Sequence, residues 1–353
     1  MNFLIVKKKR LTESIKIETK ANVNNKKWLE QYELDINNHN KHYILFKNSQ
    51  IELDQKQISF IESFLILIEK NLKIVSDKLL ENELLKLNTD ESTDIEAYRQ
   101  LTGVVRVGNF VKNSQLKSER NIELVVLMST VPNYTIIKEI SNEMKLLFIN
   151  DQNYTIENDD FLIQNEVCLI LNFKFKPNDA YLIKIMFTST TINNNVEFKT
   201  NVNIDKCKMA LKEVMRIKWF NNMLKPTFNS VLILRIMRDL CKRSPTWSVL
   251  NDWLLELIIE KCLYKNKYEE LSKKLRTVFE MISSGCLFLN LLSIKIKDEN
   301  NEDTLLSMID PCTNKDAFEN VLTLQQCEDL TSSAQHALRL ISFKKINQVL
   351  AAD

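Results

Sequence analysis

The hydrophobic periodicity of this chain changes character once, and that change restricts the possible folds more than any other feature. Between about 101 and 190 there are four short runs rich in β-formers. They are Val104 to Val107, Ile122 to Met128, Val167 to Phe173 and Tyr181 to Phe187. Between the second and third, Pro132 opens a segment in which Ile136, Ile137, Ile140, Met144, Leu147 and Phe148 recur on one helical face. After Asp205 the strand signal stops. Cys207–Leu224, Ser230–Cys241, Trp247–Cys262, Tyr268–Phe288 and Thr331–Leu350 all read as helices, with most of the non-helical signal at 292–322. Strands alternating with a helix and then helices alone predict a sheet-containing lobe followed by a helical one.

Upstream, Ile58, Ile61, Leu65, Ile68, Leu72, Val75 and Leu79 recur at steps of three and four, and Leu80, Leu84 and Leu87 widen the stripe. This is a long amphipathic helix with one broad buried face, ended by the polar run Asn88 to Asp94. Residues 1–50 are rich in lysine and asparagine with weak periodicity, and read as a flexible or loosely packed basic arm. The expected division is therefore arm 1–50, sheet lobe with its leading helix 51–205, and helical lobe 206–353.

Composition narrows the function. The 48 basic and 46 acidic side chains nearly cancel, so attraction to a polyanion has to come from a local patch. The seven cysteines, Cys168, Cys207, Cys241, Cys262, Cys286, Cys312 and Cys327, are too widely spaced for the paired ligands of most structural zinc sites, and fit a reducing compartment. Only five residues separate Met1 from the basic run Lys7-Lys8-Lys9-Arg10, too few for a secretory apolar core. Phe64 to Ile68, the longest aliphatic stretch early in the chain, falls far short of a membrane span. The expectation is an intracellular, soluble protein without membrane partners.

Several stretches resemble a known family. Arg106-Val107-Gly108, Val111-Lys112 and Asn121-Ile122-Glu123-Leu124-Val125-Val126-Leu127-Met128 look like the start of the "domain associated with zinc fingers" (DZF), shared by the interleukin enhancer-binding factors and the zinc-finger RNA-binding proteins. The likeness strengthens at Lys218-Trp219-Phe220 and along the unbroken run from Val231 to Trp247. It continues at Glu256-Leu257, Glu260-Lys261, Asp310-Pro311-Cys312 and Leu330 to Leu340. The zinc-finger RNA-binding branch is the most similar, although this chain carries no zinc fingers. The resemblance implies an α+β fold, with a nucleotidyltransferase-like mixed-sheet lobe followed by an all-helical lobe. It also implies pairing with another DZF-family protein through the helical lobes, most simply as a heterodimer, and a part in RNA processing and gene expression. RNA would be bound directly or through the partner, in the nucleus and also in the cytoplasm.

Active nucleotidyltransferases place a small residue beside a turn glycine, where the triphosphate approaches, and hold two metal ions with three carboxylates. At the matching positions this chain has Gly108-Asn109, then Asn121-Ile122-Glu123, then a later strand whose only charged residue is Lys184. One glutamate with a neutral amide beside it does not make a two-metal site, so no catalytic residue, no metal and no required cofactor are expected. Two readings stand for what remains. Glu123 and Lys184 are ordinary strand residues that neutralise each other, or Gly108, Asn109, Lys112, Asn121, Glu123 and Lys184 form a residual nucleotide pocket. The alternative function is an active template-free transferase acting on RNA or nucleotides.

Elsewhere, Arg235, Arg238 and Lys242 share one helix face, with Arg243 adjacent. They read either as internal ion pairs near Asp239 or, with Trp247 after the Ser244-Pro245 break, as contacts to a partner or to RNA. His336 and Cys312 read as structural residues. Lys7 to Arg10 is a candidate nuclear-import signal.

Overall fold

The computed structural model describes residues 30–87, 98–149, 162–163, 167–176, 179–193, 202–227, 229–264, 269–287, 309–315, 317 and 321–351. Among the described residues five strands form one mixed sheet in the order β1 (Leu101–Val107), β2 (Asn121–Met128), β5 (Asp179–Ser189), β4 (Cys168–Lys176), β3 (Leu162–Ile163). β1/β2, β5/β4 and β4/β3 are antiparallel, whereas β2 and β5 run parallel, and the one-turn helix α3 (Gly108–Val111) follows directly on β1. A parallel neighbour cannot be reached by a hairpin; the intervening chain includes α4 (Tyr134–Ile149), the helix opened by Pro132.

One face of the sheet is covered by α4 and by the predicted long helix, α2 (Gln55–Leu87). Ile61, Leu65, Ile68, Leu72, Val75 and Leu79 of α2 share a core with Ile122, Leu124, Val126 and Met128 of β2 and with Tyr181, Ile183, Ile185 and Phe187 of β5. Phe64 stacks on Phe173 of β4 at 4.0 Å between ring centroids. Alternate strand residues point the other way, and there Val107 and Val125 join the core of the helical lobe, with Met186 packed against it.

The helical lobe contains α6 (Ser230–Arg243), α7 (Asp252–Leu263), α8 (Leu271–Ser283), α9 (Leu324–Ser342) and α10 (Ile346–Leu350). α5 (Ile204–Met223) links the lobes: Cys207 and Leu211 belong to the sheet-side core, and Ala210, Ile217 and Phe220 to the helical one. Asn203 caps it by accepting from the Asp205 and Lys206 amides. The expected helix from Trp247 begins at Asp252 instead, because residues 245–249 form a turn and Asn251 supplies the cap. The last expected helix is broken at Lys344, whose φ is 59°.

The basic arm needs correction. Residues 1–29 lie outside the described part, together with the Lys7–Arg10 run, but 30–51 form a helix, α1, with Ile36, Asn40, Ile44, Lys47, Asn48 and Ile51 buried. Ile44 and Ile51 enter the helical-lobe core. Near the middle of α1, His39 Nε2 donates to the carbonyl of Lys344 at 3.0 Å. Among the described residues no helix is long and apolar enough to cross a membrane.

Candidate functional site

The sheet face turned toward the helical lobe brings Glu123 and Lys184 together as register partners on the parallel strands β2 and β5. Beside them β1 ends in the turn at Gly108. That glycine is required twice over: its φ is +77°, and a Cβ there would lie 2.8 Å from Glu123 Oε2. Burial, reinforced by repulsion from Glu213 of α5, pushes the Glu123 carboxyl above the usual carboxylate range despite Lys184 and Lys112. Asn121, two residues before Glu123, is exposed. The donor set that the sheet itself supplies does not fit a metal pair, since it amounts to one carboxylate, one amide and one ammonium. Among the described residues no group of three or more His, Cys, Asp or Glu side chains could hold a metal ion.

The turn is met from the opposite side by α7. Asn109 Nδ2 donates to Asp252 Oδ2 at 2.8 Å, and Lys112 Nζ donates to both oxygens of Glu256, at 2.7 and 3.0 Å. Lys112 and Glu256 are both buried, and Lys112 also lies over the Phe220 ring at 5.5 Å from its centroid. Burial raises the Glu256 carboxyl against the pull of Lys112. Asp252 behaves oppositely. Burial would raise it, but bonds from Arg238 and Asn109 hold it below the usual range.

Arg238, only 2% exposed, is saturated with acceptors. It donates to Asp252 at 2.9 and 3.0 Å, to Glu119 at 2.6 and 3.0 Å, and to the Ser114 carbonyl at 2.6 Å. Burial would raise the Glu119 carboxyl, but the bonds from Arg238, joined by Lys242 at 2.6 Å, hold it below the usual range. Arg235 bonds to Asn48, Glu52 and the Asn113 carbonyl, while Arg243 pairs with Asp239 at 2.6 Å. Of the two readings of this basic face, the structure gives internal pairing. Arg238 is buried in ion pairs that join the lobes. Trp247 is likewise no surface contact. It is 2% exposed, donates from Nε1 to Ser333 Oγ at 2.9 Å, and meets Phe279 edge-on. Lys242 and Arg243 keep part of their side chains in solvent. His336 is exposed on α9, and the Cys312 amide donates to the Asp310 carboxylate within a turn.

A family model described as the DZF N-terminal domain matches residues 38–225, and one described as the DZF C-terminal domain matches 229–353. The chain belongs to the DZF family. The two matches meet at the turn between α5 and α6, so α5, assigned to the helical lobe from sequence, falls within the N-terminal match. Among solved structures, this DZF chain is similar to E. coli MS115-1 CdnC with ATP, at TM-score 0.51 and 11% identity over 88% of this chain and 97% of that one. It is also similar to the Vibrio cholerae DncV cyclic AMP-GMP synthase with the linear intermediate pppA(3′,5′)pG, at TM-score 0.50 and 11% identity over 86% and 92%. At such identities the likeness is one of fold, the nucleotidyltransferase-like α+β fold.

The residues of the DZF site that the sequence did not single out for chemistry are Asp252 and Glu119, and Glu256 appeared only as part of the resemblance. A signal existed for Glu256. It stands alone among Leu254, Leu255, Leu257, Ile258 and Ile259, and an acid at the centre of a buried run requires a cation to face it. Nothing local identified Lys112 as that cation, because it lies 144 positions away.

Proposed function

We propose that this DZF chain is a catalytically inactive nucleotidyltransferase-like protein that works by pairing with another DZF-family protein, as a heterodimer, in a nuclear RNA-binding or RNA-processing complex that also has access to the cytoplasm. The observation that carries the first part is the donor set on the sheet. Two-metal phosphoryl transfer needs several carboxylates around the reacting oxygens, and here Glu123 has Lys184 as its strand neighbour and Asn121 where a second acid would stand. Its raised pKa marks an environment that disfavours even one negative charge. No cofactor is required for such a role.

The RNA-handling part is supported by family membership and by α5. Lys208, Lys212 and Lys218 are exposed there and make no ion pair among the described residues. They supply the local patch that the near-zero net charge demands. Incubating purified protein with labelled nucleotides, magnesium or manganese, and RNA should give no product above the blank. Product that disappears in Glu123→Gln would reverse the assignment in favour of a template-free transferase. Pairing is tested by light scattering of the full chain, alone and with a candidate DZF partner. The full chain is required because α1 and α5 contribute to the helical core, and a mass equal to one chain in both samples would reject it.

A further inference from the structure

We propose that the RNA met by α5 is single-stranded, with one base lodged in a groove between α5 and the turn at 310–315 and its flanking phosphates on Lys208 and Lys212. The inference rests on the reading of α5 as the RNA-facing patch, and adds which form of RNA and which bases that patch takes. The groove measures about 340 Å³, within the range of small-ligand sites. It shares no residue with the set around Gly108. Glu213, the α5 residue that repels Glu123, lies about 100° further round the helix than Lys212.

Lys208, Lys212 and Met215 recur at steps of four and three, so they form one stripe along α5. Met209 and Met215 are 57% and 40% exposed, and Leu211 and Cys312 complete the apolar lining. The wall opposite α5 is fixed, because the Asp310 carboxylate accepts from the Cys312 amide and the Asp310 carbonyl accepts from Thr313 and Asn314. Burial, with Asp310 nearby, pushes the Cys312 thiol up to about 11, so it lines the groove uncharged. Lysines alone take the phosphates of any nucleic acid. The methionines discriminate: a duplex keeps its base faces stacked on one another, and only an unpaired strand offers a flat apolar surface to such a lining. Methionine's flexible, polarizable side chain conforms to a ring without demanding one shape. Asp205, one turn before Met209, adds a carboxylate to the groove. It repels phosphate and accepts hydrogen bonds, which favours a base with an amino group on its pairing edge, such as cytosine, over uracil with a carbonyl there. The same carboxylate disfavours an acidic protein segment as the occupant.

The test uses the full chain at low salt without divalent metal, and reads the fluorescence anisotropy of labelled oligocytidine, oligouridine, and oligocytidine annealed to its complement. Oligocytidine should bind at least about tenfold more tightly than the duplex and about fivefold more tightly than oligouridine. Met209→Ala with Met215→Ala should weaken oligocytidine about tenfold, as when a base loses its stacking surface, and leave the duplex within about twofold. Asp205→Asn, whose amide donates as well as accepts, should bring the two strands level. Should the alanine pair melt below wild type, Met209→Gln with Met215→Gln keeps the side-chain length and decides. Single strand and duplex bound equally, or a folded methionine pair that binds oligocytidine like wild type, overturns the inference and leaves α5 as a general phosphate patch. Polyglutamate that displaces the label as readily as unlabelled oligocytidine also overturns it, and assigns the groove to an acidic protein segment. If neither strand nor duplex is bound, α5 drops out of the RNA reading itself and the inference falls with it.

Discussion

Lys112 in the sheet lobe and Glu256 in the helical lobe meet at 2.7 Å with 5% and 0% of their side chains exposed, which makes this ion pair a water-shielded bolt between the two halves of the fold. Removing one member of such a pair leaves a buried charge uncompensated. Lys112→Met should therefore cost about 3–5 kcal/mol in urea unfolding, whereas Lys112→Met combined with Glu256→Leu should recover most of that loss. A single variant within about 1 kcal/mol of wild type would show that water or another cation reaches Glu256.

Gly108→Ala should destabilise the fold by roughly 1–3 kcal/mol, from the left-handed backbone and the approach of Glu123 Oε2. The two causes are separable. In a Glu123→Ala background the oxygen is gone and only the backbone cost remains, so the glycine substitution should be measurably milder there. Equal costs in both backgrounds would leave the 2.8 Å approach without energetic weight.

Glu123→Gln should reveal the sign of that residue's electrostatics. Its carboxyl is raised above the ordinary value of 4.5 by burial and by Glu213. A raised acid contributes stability that is present below the unfolded value and is lost as pH rises through the folded one. Wild type and variant should thus melt alike near pH 4, and the variant should be the more stable from about pH 6 to 8. Asp252 and Glu119, both lowered, act in the opposite sense and lose their contribution as pH falls, but they are common to both proteins and cancel in the comparison. A variant that is less stable only at neutral pH contradicts the assignment.

The main buried face of α2 was legible because its apolar residues follow one rule without interruption, from Ile61 to Leu79. α1 was not, since its inward positions include Asn40, Lys47 and Asn48, and polar residues in a buried stripe erase the period by which helices are recognised. For the site, Gly108, Glu123 and Lys184 could be placed because strands alternate faces and the parallel register brings partners level. The carboxylates that cross from α7 could not, because tertiary pairing over such separations has no local trace. The basic face on α6 was visible, but its purpose depended on Glu119 and Asp252, acids supplied by other parts of the chain.

Charge reversal at Lys208 and Lys212 examines the RNA reading directly. The double substitution to Glu should weaken RNA retention by the assembled complex about tenfold or more at low salt, and less at high salt, as expected when phosphate contacts are lost. Unfolding stability should stay within about 0.5 kcal/mol per site because both side chains are exposed and unpaired among the described residues. Retention unchanged at low salt would place the RNA contact elsewhere or on the partner.

The bond from His39 to the backbone of Lys344 spans 305 positions, and this has a consequence for how the protein is made. α1 leaves the ribosome before the rest of its core, for Ile44 and Ile51 share that core with Leu330, Ala334, Ile341 and Ile346, which follow only after about 300 positions. During translation the apolar side of α1 must wait, exposed or borrowed by another surface, until α9 and α10 have emerged. A nascent chain halted before about residue 330 would be a stronger target for chaperones than its finished sheet suggests, and docking α1 beside α9 and α10 becomes a late step in forming this core.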